Sequence, residues 1–365
     1  MKICIVIGTL NYSGAEKIVS NIISSLYNEY EIEVVLLACD QPSDKFPIKQ
    51  YPLYIDEKKH TNRISRTLKR IKLMREIIKK AEYDLVVSFG CKYNLDVVMS
   101  MAGRKKTKLI LCERNDPIYD PSSRLLRIRR NLFYRFADGF VFQTEEIKSF
   151  FSKRIQRKSV IIPNFVTSLP AKYYDPRDTD LTFATCGRLD DYQKDQTTLI
   201  RTFSEFLKTH PGYKLEFYGS GPDELRYKEL VESLNIANNV VFHGYVNDPI
   251  SHMASARYFV FSSRYEGMPN ALIEALSFGI PCISTDCSGG GARFLIDDGK
   301  NGILIPFNND SALLAAMIAF ADDYEKAKSM GDEGRKINEK LRKDRIIQLW
   351  KDYFNSFIDS SRGGA

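Results

Sequence analysis

Residues 258–284, YFVFSSRYEGMPNALIEALSFGIPCIS, read in turn as a strand, a loop, a helix and a second strand. YFVFS at 258–262 and PCIS at 281–284 are apolar runs of strand length that do not alternate, as in a parallel sheet covered on both faces. Between them, 269–279 carries its apolar residues at helical spacing, and Pro269 suits a first helical turn. A strand–helix–strand unit of this kind belongs to a doubly wound α/β fold.

The same alternation extends in both directions. Toward the N-terminus of this half, strands are expected at 181–186 (LTFATC), 214–218 (KLEFY) and 239–243 (NVVFH), and toward the C-terminus at 303–305 (ILI). Helices are expected at about 196–209, 222–235 and 310–323. The first half repeats the pattern, with strands at 3–8 (ICIVIG), 32–38, 85–89 (LVVSF), 108–112 (KLILC), 139–142 (GFVF) and 159–162, and helices at 14–28 and 62–80. The stretch 164–180, NFVTSLPAKYYDPRDTD, interrupts the alternation and reads as a linker. Two Rossmann-like domains in tandem follow, 1–168 and 178–343, with ligand expected in a cleft between them, beyond the carboxyl ends of the strands. Residues 326–358 read as helical, with Leu341, Ile346, Leu349, Trp350, Tyr353 and Phe357 as apolar contacts, and 359–365 read as a disordered tail.

Composition narrows the function classes. At 365 residues the chain has room for two domains, and 44% apolar residues exclude wholesale disorder. The seven cysteines, Cys4, Cys39, Cys91, Cys112, Cys186, Cys282 and Cys287, form no CxxC, which speaks against a zinc site or disulfide framework and for a reducing, cytosolic setting. The start, MKICIVIG, lacks a signal-peptide pattern, and no run approaches 18 apolar residues. Charge is divided unevenly. Residues 1–165 hold 30 Lys and Arg against 18 Asp and Glu, a net of +12, and residues 166–365 hold 23 against 28, a net of −5. The two halves therefore face different partners.

Four stretches carry candidate chemistry. Glu266 in the loop and Glu274 on the following helix bring two carboxylates to one ligand, with the free N–H groups of a helix start between them. Carboxylates accept hydrogen bonds from hydroxyls, so a sugar or ribose fits. After the first strand of the second half, Gly187-Arg188-Leu189-Asp190-Asp191-Tyr192-Gln193-Lys194 places two cations six residues apart, suited to a pyrophosphate: Arg as a fork of donors, Lys as a mobile point charge. Gly219-Ser220-Gly221-Pro222 follows the next strand and would let backbone approach a nucleotide. Ser13-Gly14-Ala15-Glu16 opens the first helix, where phosphate or a sugar can meet the helix start. No GxGxxG is present, which disfavours a dinucleotide-dependent dehydrogenase, and no GK[ST] follows the glycines.

Glu266 to Glu274 resembles the E-x7-E signature of the family 4 retaining glycosyltransferases, Gly187-Arg188-Leu189 with Lys194 resembles their Arg and Lys pair, and Ser13-Gly14-Ala15-Glu16 resembles their GGAE turn. The segment Cys112-Glu113-Arg114-Asn115-Asp116-Pro117 is similar to a variant among members that build bacterial surface polysaccharides. The resemblance spans essentially the whole chain. It implies the glycosyltransferase B fold, an acceptor-binding first domain, a donor-binding second domain and a final helix, about 344–358, that returns to the first. It implies a UDP-sugar donor and a lipid-linked or polysaccharide acceptor. Glu266 would meet the donor sugar's hydroxyls with the backbone of Gly267, Met268 and Asn270, Glu274 the ribose, and Gly14 would admit phosphates and sugar. Arg188 and Lys194 would hold the pyrophosphate, aided by the approach at Gly219 and Gly221. Catalysis would rest on Glu266, Arg188 and Lys194, with no metal or other cofactor.

The chain departs from the family at one point. Many members carry a His after the third strand of the first half, where this chain has Ser88-Phe89-Gly90-Cys91-Lys92-Tyr93-Asn94. Its four histidines are His60, His210, His243 and His252, so acceptor-side candidates are Asn94, Glu113 and Arg114 instead. A front-face route, in which the departing phosphate oxygen takes the acceptor proton, needs no such base. Asp178-Thr179-Asp180 fits a D-x-D metal pattern but falls in the linker.

Two segments concentrate the positive charge. One holds Lys58, Lys59, Arg63, Arg66, Lys69, Arg70, Lys72, Arg75, Lys79 and Lys80, and the other Arg124, Arg127, Arg129, Arg130 and Arg135 beside Leu125, Leu126, Ile128, Leu132 and Phe133. The expectation is a cytoplasmic enzyme held peripherally at an anionic inner leaflet; no nucleic-acid module is visible. Competing readings are a sugar phosphorylase or nucleotide-sugar epimerase of the same fold, or a non-catalytic accessory subunit that binds nucleotide sugar.

Overall fold

Strand β1 (Lys2–Ile7) is buried from Ile3 onward and leads through Gly8 toward helix α1 (Gly14–Leu26). The computed structural model describes residues 1–10, 14–38, 47–53, 55, 62–104, 106–167, 169, 180–246 and 248–362. Then come β2 (Glu31–Leu36), β3 (Gln50–Pro52), α2 (Arg63–Ala81), β4 (Leu85–Phe89), α3 (Cys91–Ser100), β5 (Lys108–Cys112), α4 (Arg124–Tyr134), β6 (Gly139–Phe142), α5 (Glu145–Phe150), α6 (Lys153–Gln156) and β7 (Ser159–Ile161). The seven strands form one parallel sheet in the order β3-β2-β1-β4-β5-β6-β7. Ile5 lies beside Val34 on one side and Val87 on the other, and Ile3 to Ile7 are all buried, so the centre of the sheet is apolar on both faces.

The second sheet is also parallel. It is built from β8 (Asp180–Cys186), α7 (Asp191–Lys194), α8 (Gln196–Phe206), β9 (Lys214–Tyr218), α9 (Glu224–Ser233), β10 (Val240–Phe242), α10 (Pro249–Met253), β11 (Ala256–Phe261), α11 (Asn270–Phe278), β12 (Cys282–Asp286), α12 (Gly291–Leu295) and β13 (Ile303–Pro306). Its order is β10-β9-β8-β11-β12-β13. Phe183, Phe203, Phe206, Tyr227 and Tyr258 fill one of its flanks and are fully buried. Helices α13 (Asp310–Asp322), α14 (Tyr324–Gly334) and α15 (Ile337–Lys340) complete the unit, and α16 (Lys343–Arg362) ends the described chain.

The chain divides into two units, Met1–Asn164 with Lys343–Ala365, and Phe165–Arg342. Helix α16 thus belongs with the first sheet. Its Trp350 packs against Phe89 with ring centroids 5.5 Å apart, and Lys343 Nζ donates to Asn21 Oδ1 at 2.8 Å. The Tyr353 hydroxyl accepts from the Phe140 N–H and donates to the Lys158 carbonyl, both at 2.9 Å.

Three expectations need correction. The single helical run at 326–358 is three helices. The chain breaks after Gly334, which packs tightly on Leu276, and again at Leu341, which is fully buried and whose carbonyl accepts from the Val166 N–H at 3.0 Å. Phe354 is fully buried on α16, whereas the expected contact Leu349 is 36% exposed. The helix runs on to Arg362, past the expected start of a disordered tail, and 363–365 lie outside the described residues. Strand β3 was not expected at all: three half-exposed residues ending in Pro52 make an edge strand without an apolar run. Among the described residues no helix is long and apolar enough to cross a membrane.

Candidate functional site

The ends of β8 and β11 meet at one ion pair. Beyond β8, buried Leu189 pins the loop, and α7 follows after Asp190. Asp195, left-handed at φ 49°, separates α7 from α8, and Asp191 Oδ1 reaches across to accept the Thr197 N–H at 2.8 Å. Burial alone would raise the Asp191 carboxyl, but the hydrogen bonds from Thr197 and the Arg226 guanidinium outweigh it and hold the group below the ordinary carboxylate value.

This scaffold fixes Lys194. Its ammonium lies 2.5 Å from Glu266 Oε1 and 5.0 Å from the centre of the Phe261 ring. The Ser262 hydroxyl donates to the Lys194 carbonyl at 2.8 Å. Both charged side chains are mostly buried, at 16% exposure for Lys194 and 12% for Glu266. An ion pair this dry is strongly coupled, and removing one partner strands the other's charge. The Ser263 hydroxyl donates to the same Glu266 oxygen at 3.1 Å, and the Glu266 N–H donates to the Ser288 carbonyl at 3.0 Å. Ser263 stands inside the segment that decided the fold, yet nothing in its spacing marked it as a partner of Glu266.

The glycines around this pair hold loop on loop. At Gly219, φ is +143°, and a Cβ would run into the Gly187 carbonyl oxygen; at Gly221 a Cβ would run into the Leu189 carbonyl oxygen. Within this unit the close approach they permit is to the Arg188 loop. Arg188 itself is 69% exposed, with Nε 3.9 Å from Asp190 Oδ2. Gly267 and Met268 are buried, and Asn270 is the first residue of α11. Glu274, one turn further on, is buried too, and its Oε1 accepts from the Thr167 hydroxyl at 3.2 Å. Lys194 and Ser263 thus meet Glu266, and Thr167 meets Glu274. Gly14 is exposed at the first residue of α1, where the Thr9 hydroxyl donates to Glu16, while Ser13 lies outside the described residues.

The acceptor-side candidates form a buried network at the end of β5. Asn94 and Glu113 are fully buried. The Ser88 hydroxyl donates to Asn94 Oδ1 at 2.6 Å, Asn94 Nδ2 donates to the Tyr134 hydroxyl at 2.8 Å, and that hydroxyl donates to Glu113 Oε1. Burial pushes the Glu113 carboxyl up to about 7, against the opposing pull of Arg130 and the Tyr134 hydrogen bond. Arg114 is half-buried; its Nη2 donates to Asn164 Oδ1 at 2.5 Å, an oxygen that also accepts from Gln143 Nε2 at 2.7 Å. Burial lowers the Arg114 guanidinium to about 10. Tyr134 and Asn164 carry no motif in sequence, so they were missed.

His60, Lys58, Lys59, Asp178 and Thr179 lie outside the described residues. His243 Nε2 sits 3.1 Å from Glu216 Oε2, and His210 Nε2 3.1 Å from Asp322 Oδ1. Among the described residues no three His, Cys, Asp or Glu side chains gather as a metal site would require.

The profile of the family described as glycosyl transferases group 1 matches residues 172–337. An uncharacterized glycosyltransferase of Methanocaldococcus jannaschii, MJ1059, is 32% identical over 279 residues, 67% of this chain and 68% of that one. A Campylobacter jejuni alpha-1,4-N-acetyl-D-galactosaminyltransferase, named for a GalNAc- and diNAcBac-bearing PP-undecaprenol, is 24% identical over 362 residues, 96% of this chain and 97% of that one. The crystal structure of Anabaena HepE in complex with UDP-glucose superposes with a TM-score of 0.80 at 18% identity, covering 98% of this chain and 100% of that one.

Proposed function

The chain belongs to the group 1 glycosyl transferases, family 4 with the glycosyltransferase B fold, and on that premise we propose that it is a retaining enzyme of bacterial surface-glycan synthesis. It moves a hexose or N-acetylhexosamine from a UDP-sugar to a lipid-linked or polysaccharide acceptor. The observation that carries the reading is the Lys194–Glu266 pair at 2.5 Å, set at the carboxyl ends of two parallel strands. The name of the Campylobacter relative, with its PP-undecaprenol, supports a lipid-linked acceptor, and HepE's UDP-glucose supports the donor class.

In this reading Glu266 turns a carboxylate oxygen to the hydroxyls of the donor sugar. Lys194, held against Glu266 and Phe261, presents its charge to the pyrophosphate. Arg188, on an exposed loop, folds onto the same diphosphate and supplies the fork of donors that a metal would otherwise replace. Both cations act most strongly as negative charge builds on the departing UDP. The acceptor oxygen bonds to the anomeric carbon on the face from which the phosphate oxygen leaves, so the configuration is retained, and that leaving oxygen takes the acceptor proton without a protein base. Glu274 receives the ribose hydroxyls. In the first unit Arg114 faces the acceptor, and Asn94 and Glu113 hold the end of β5 from beneath. The enzyme works from the cytoplasmic side, peripherally on an anionic membrane.

Two measurements test this. A thermal-shift screen with UDP-sugars should show stabilisation by one of them, since a ligand bound only by the folded state raises the midpoint. Glu266→Ala and Lys194→Ala should each nearly abolish transfer while keeping the circular dichroism of the parent. Full turnover by both variants would remove the site assignment.

A further inference from the structure

A helix on a protein surface normally turns its polar side outward. Helix α4 turns large apolar side chains outward as well. Its outward face carries Leu125 at 65% exposure, Ile128 at 57%, Leu132 at 48% and, just past its end, Phe136 at 61%. The spacings of three, four and four make one continuous stripe along the helix. The arginines, which a solvated helix would hold out, are partly turned in: Arg127 Nη1 donates to the Ile118 and Ser122 carbonyls at 2.8 Å, and Arg130 donates to the Asp120 and Pro117 carbonyls at 2.8 and 2.9 Å. Arg124, Arg129 and Arg135 stay exposed and flank the stripe. Residues 121–136 contain five arginines and no Asp or Glu. Helix α2, which like α4 packs against α3, begins with Ile64 and Leu68 at 70% and 56% exposure and carries eight basic residues to one acidic.

An apolar stripe on a segment whose charges are all cations is complementary to one surface above others, an anionic lipid leaflet, with the apolar chains at the acyl boundary and the guanidinium groups among the phosphates. We propose that α4 is an interfacial helix: Leu125, Ile128, Leu132 and Phe136 insert into an anionic bilayer, so that attachment is hydrophobic as well as electrostatic. This deepens the membrane part of the proposed function by naming the element that enters the lipid. The two terms separate with salt, because screening weakens the attraction of exposed charges but not the burial of apolar surface.

The test is sedimentation of the full chain with phosphatidylcholine vesicles containing about 30% phosphatidylglycerol, at low salt and at about 0.5 M NaCl. The parent should bind at low salt and keep part of its binding at high salt. The triple variant Leu125→Ser, Ile128→Ser, Leu132→Ser changes exposed side chains only and should keep its circular dichroism while partitioning about tenfold less or worse. A second variant, Arg124→Gln, Arg129→Gln, Arg135→Gln, should lose mainly the salt-sensitive share. Vesicle binding by the serine variant equal to the parent's, complete release of the parent by salt, or no binding by the parent would each overturn the proposal. So would a parent dimer that the serine variant abolishes, since the stripe would then serve a second copy. Transfer to a short-chain water-soluble acceptor, measured in parallel, reads the enzymatic assignment separately: its absence with intact vesicle binding counts against the reaction and not against the helix.

Discussion

Two carboxylates lie beyond the carboxyl ends of strands, one in each sheet, and they have opposite surroundings. Glu266 follows β11 and is met by an ammonium at 2.5 Å, a serine hydroxyl and a loop rich in glycine. Glu113 follows β5 and is met by a tyrosine hydroxyl and an asparagine inside a fully buried network, with Arg130 acting on it only through its charge. The first arrangement sets the carboxylate against a cation. The second leaves burial in control, so the group gives up its proton only near neutral pH. A carboxylate beyond a strand's end is thus ion-paired in one unit and a proton-holding strut in the other. The partner, not the strand end, decides which.

The largest expected effect falls on the paired carboxylate. Lys194→Ala and Glu266→Ala should lower kcat/KM roughly 10³-fold, about 4 kcal/mol of transition-state stabilisation, and steady-state transfer assays with the matched donor measure it. If both effects stayed within threefold of the parent, roughly 0.7 kcal/mol, the contrast with Glu113 would lose its functional meaning.

Glu113 should show itself in stability instead. Its folded value of about 7 lies above the ordinary 4.5. Below 4.5 both folded and unfolded chains hold the proton. As pH rises from 4.5 to 7 the unfolded chain releases it while the folded chain keeps it, so stability falls across that window and levels off above it. The fall is on the order of 3 kcal/mol at most. Glu113→Gln should flatten it, as read from denaturant midpoints between pH 4.5 and 8, and should disturb transfer far less than Glu266→Ala. An unchanged pH dependence in the Gln variant would mean that Glu113 is already ionised in the folded state.

Gly219→Ala sharpens the comparison from the loop side. The added Cβ must displace the Gly187 carbonyl oxygen and with it the Arg188 loop, costing roughly 10- to 100-fold in transfer. A variant with parental activity would show that the loop has room to shift without moving its cations. The smallest effect belongs to Tyr134→Phe, which removes the hydroxyl donor to Glu113. It should cost about 1–2 kcal/mol at pH 8, where the carboxylate is charged, and less at pH 5. Equal losses at both values would assign Tyr134 to packing alone.

Most strands were legible because they are buried on both faces, and such strands write continuous apolar runs such as LVVSF and KLILC. The E-x7-E spacing was legible through its resemblance to a family signature. What sequence did not show is pairing. Nothing in 187–195 says that Lys194 will face Glu266, 72 residues away, while Arg188 stays exposed. Tyr134 reads as one more apolar helix residue until its hydroxyl is found on Glu113. The run 326–358 shows the converse limit. Helical periodicity persisted through Leu341, but the Val166 N–H needed that residue's carbonyl, and a contact so distant in sequence leaves no periodic trace.

The return of α16 to the first sheet has a consequence for biogenesis. Residues that seal β4, β6 and α1, namely Trp350, Tyr353 and Lys343, leave the ribosome after the whole of the second unit. The first unit is therefore the earliest to be synthesised and the last to be closed, while the second is a continuous stretch that can be completed in passing. A nascent chain stalled before residue 343 would carry an open flank at Phe89 and Gly139, closed only once the final helix is made.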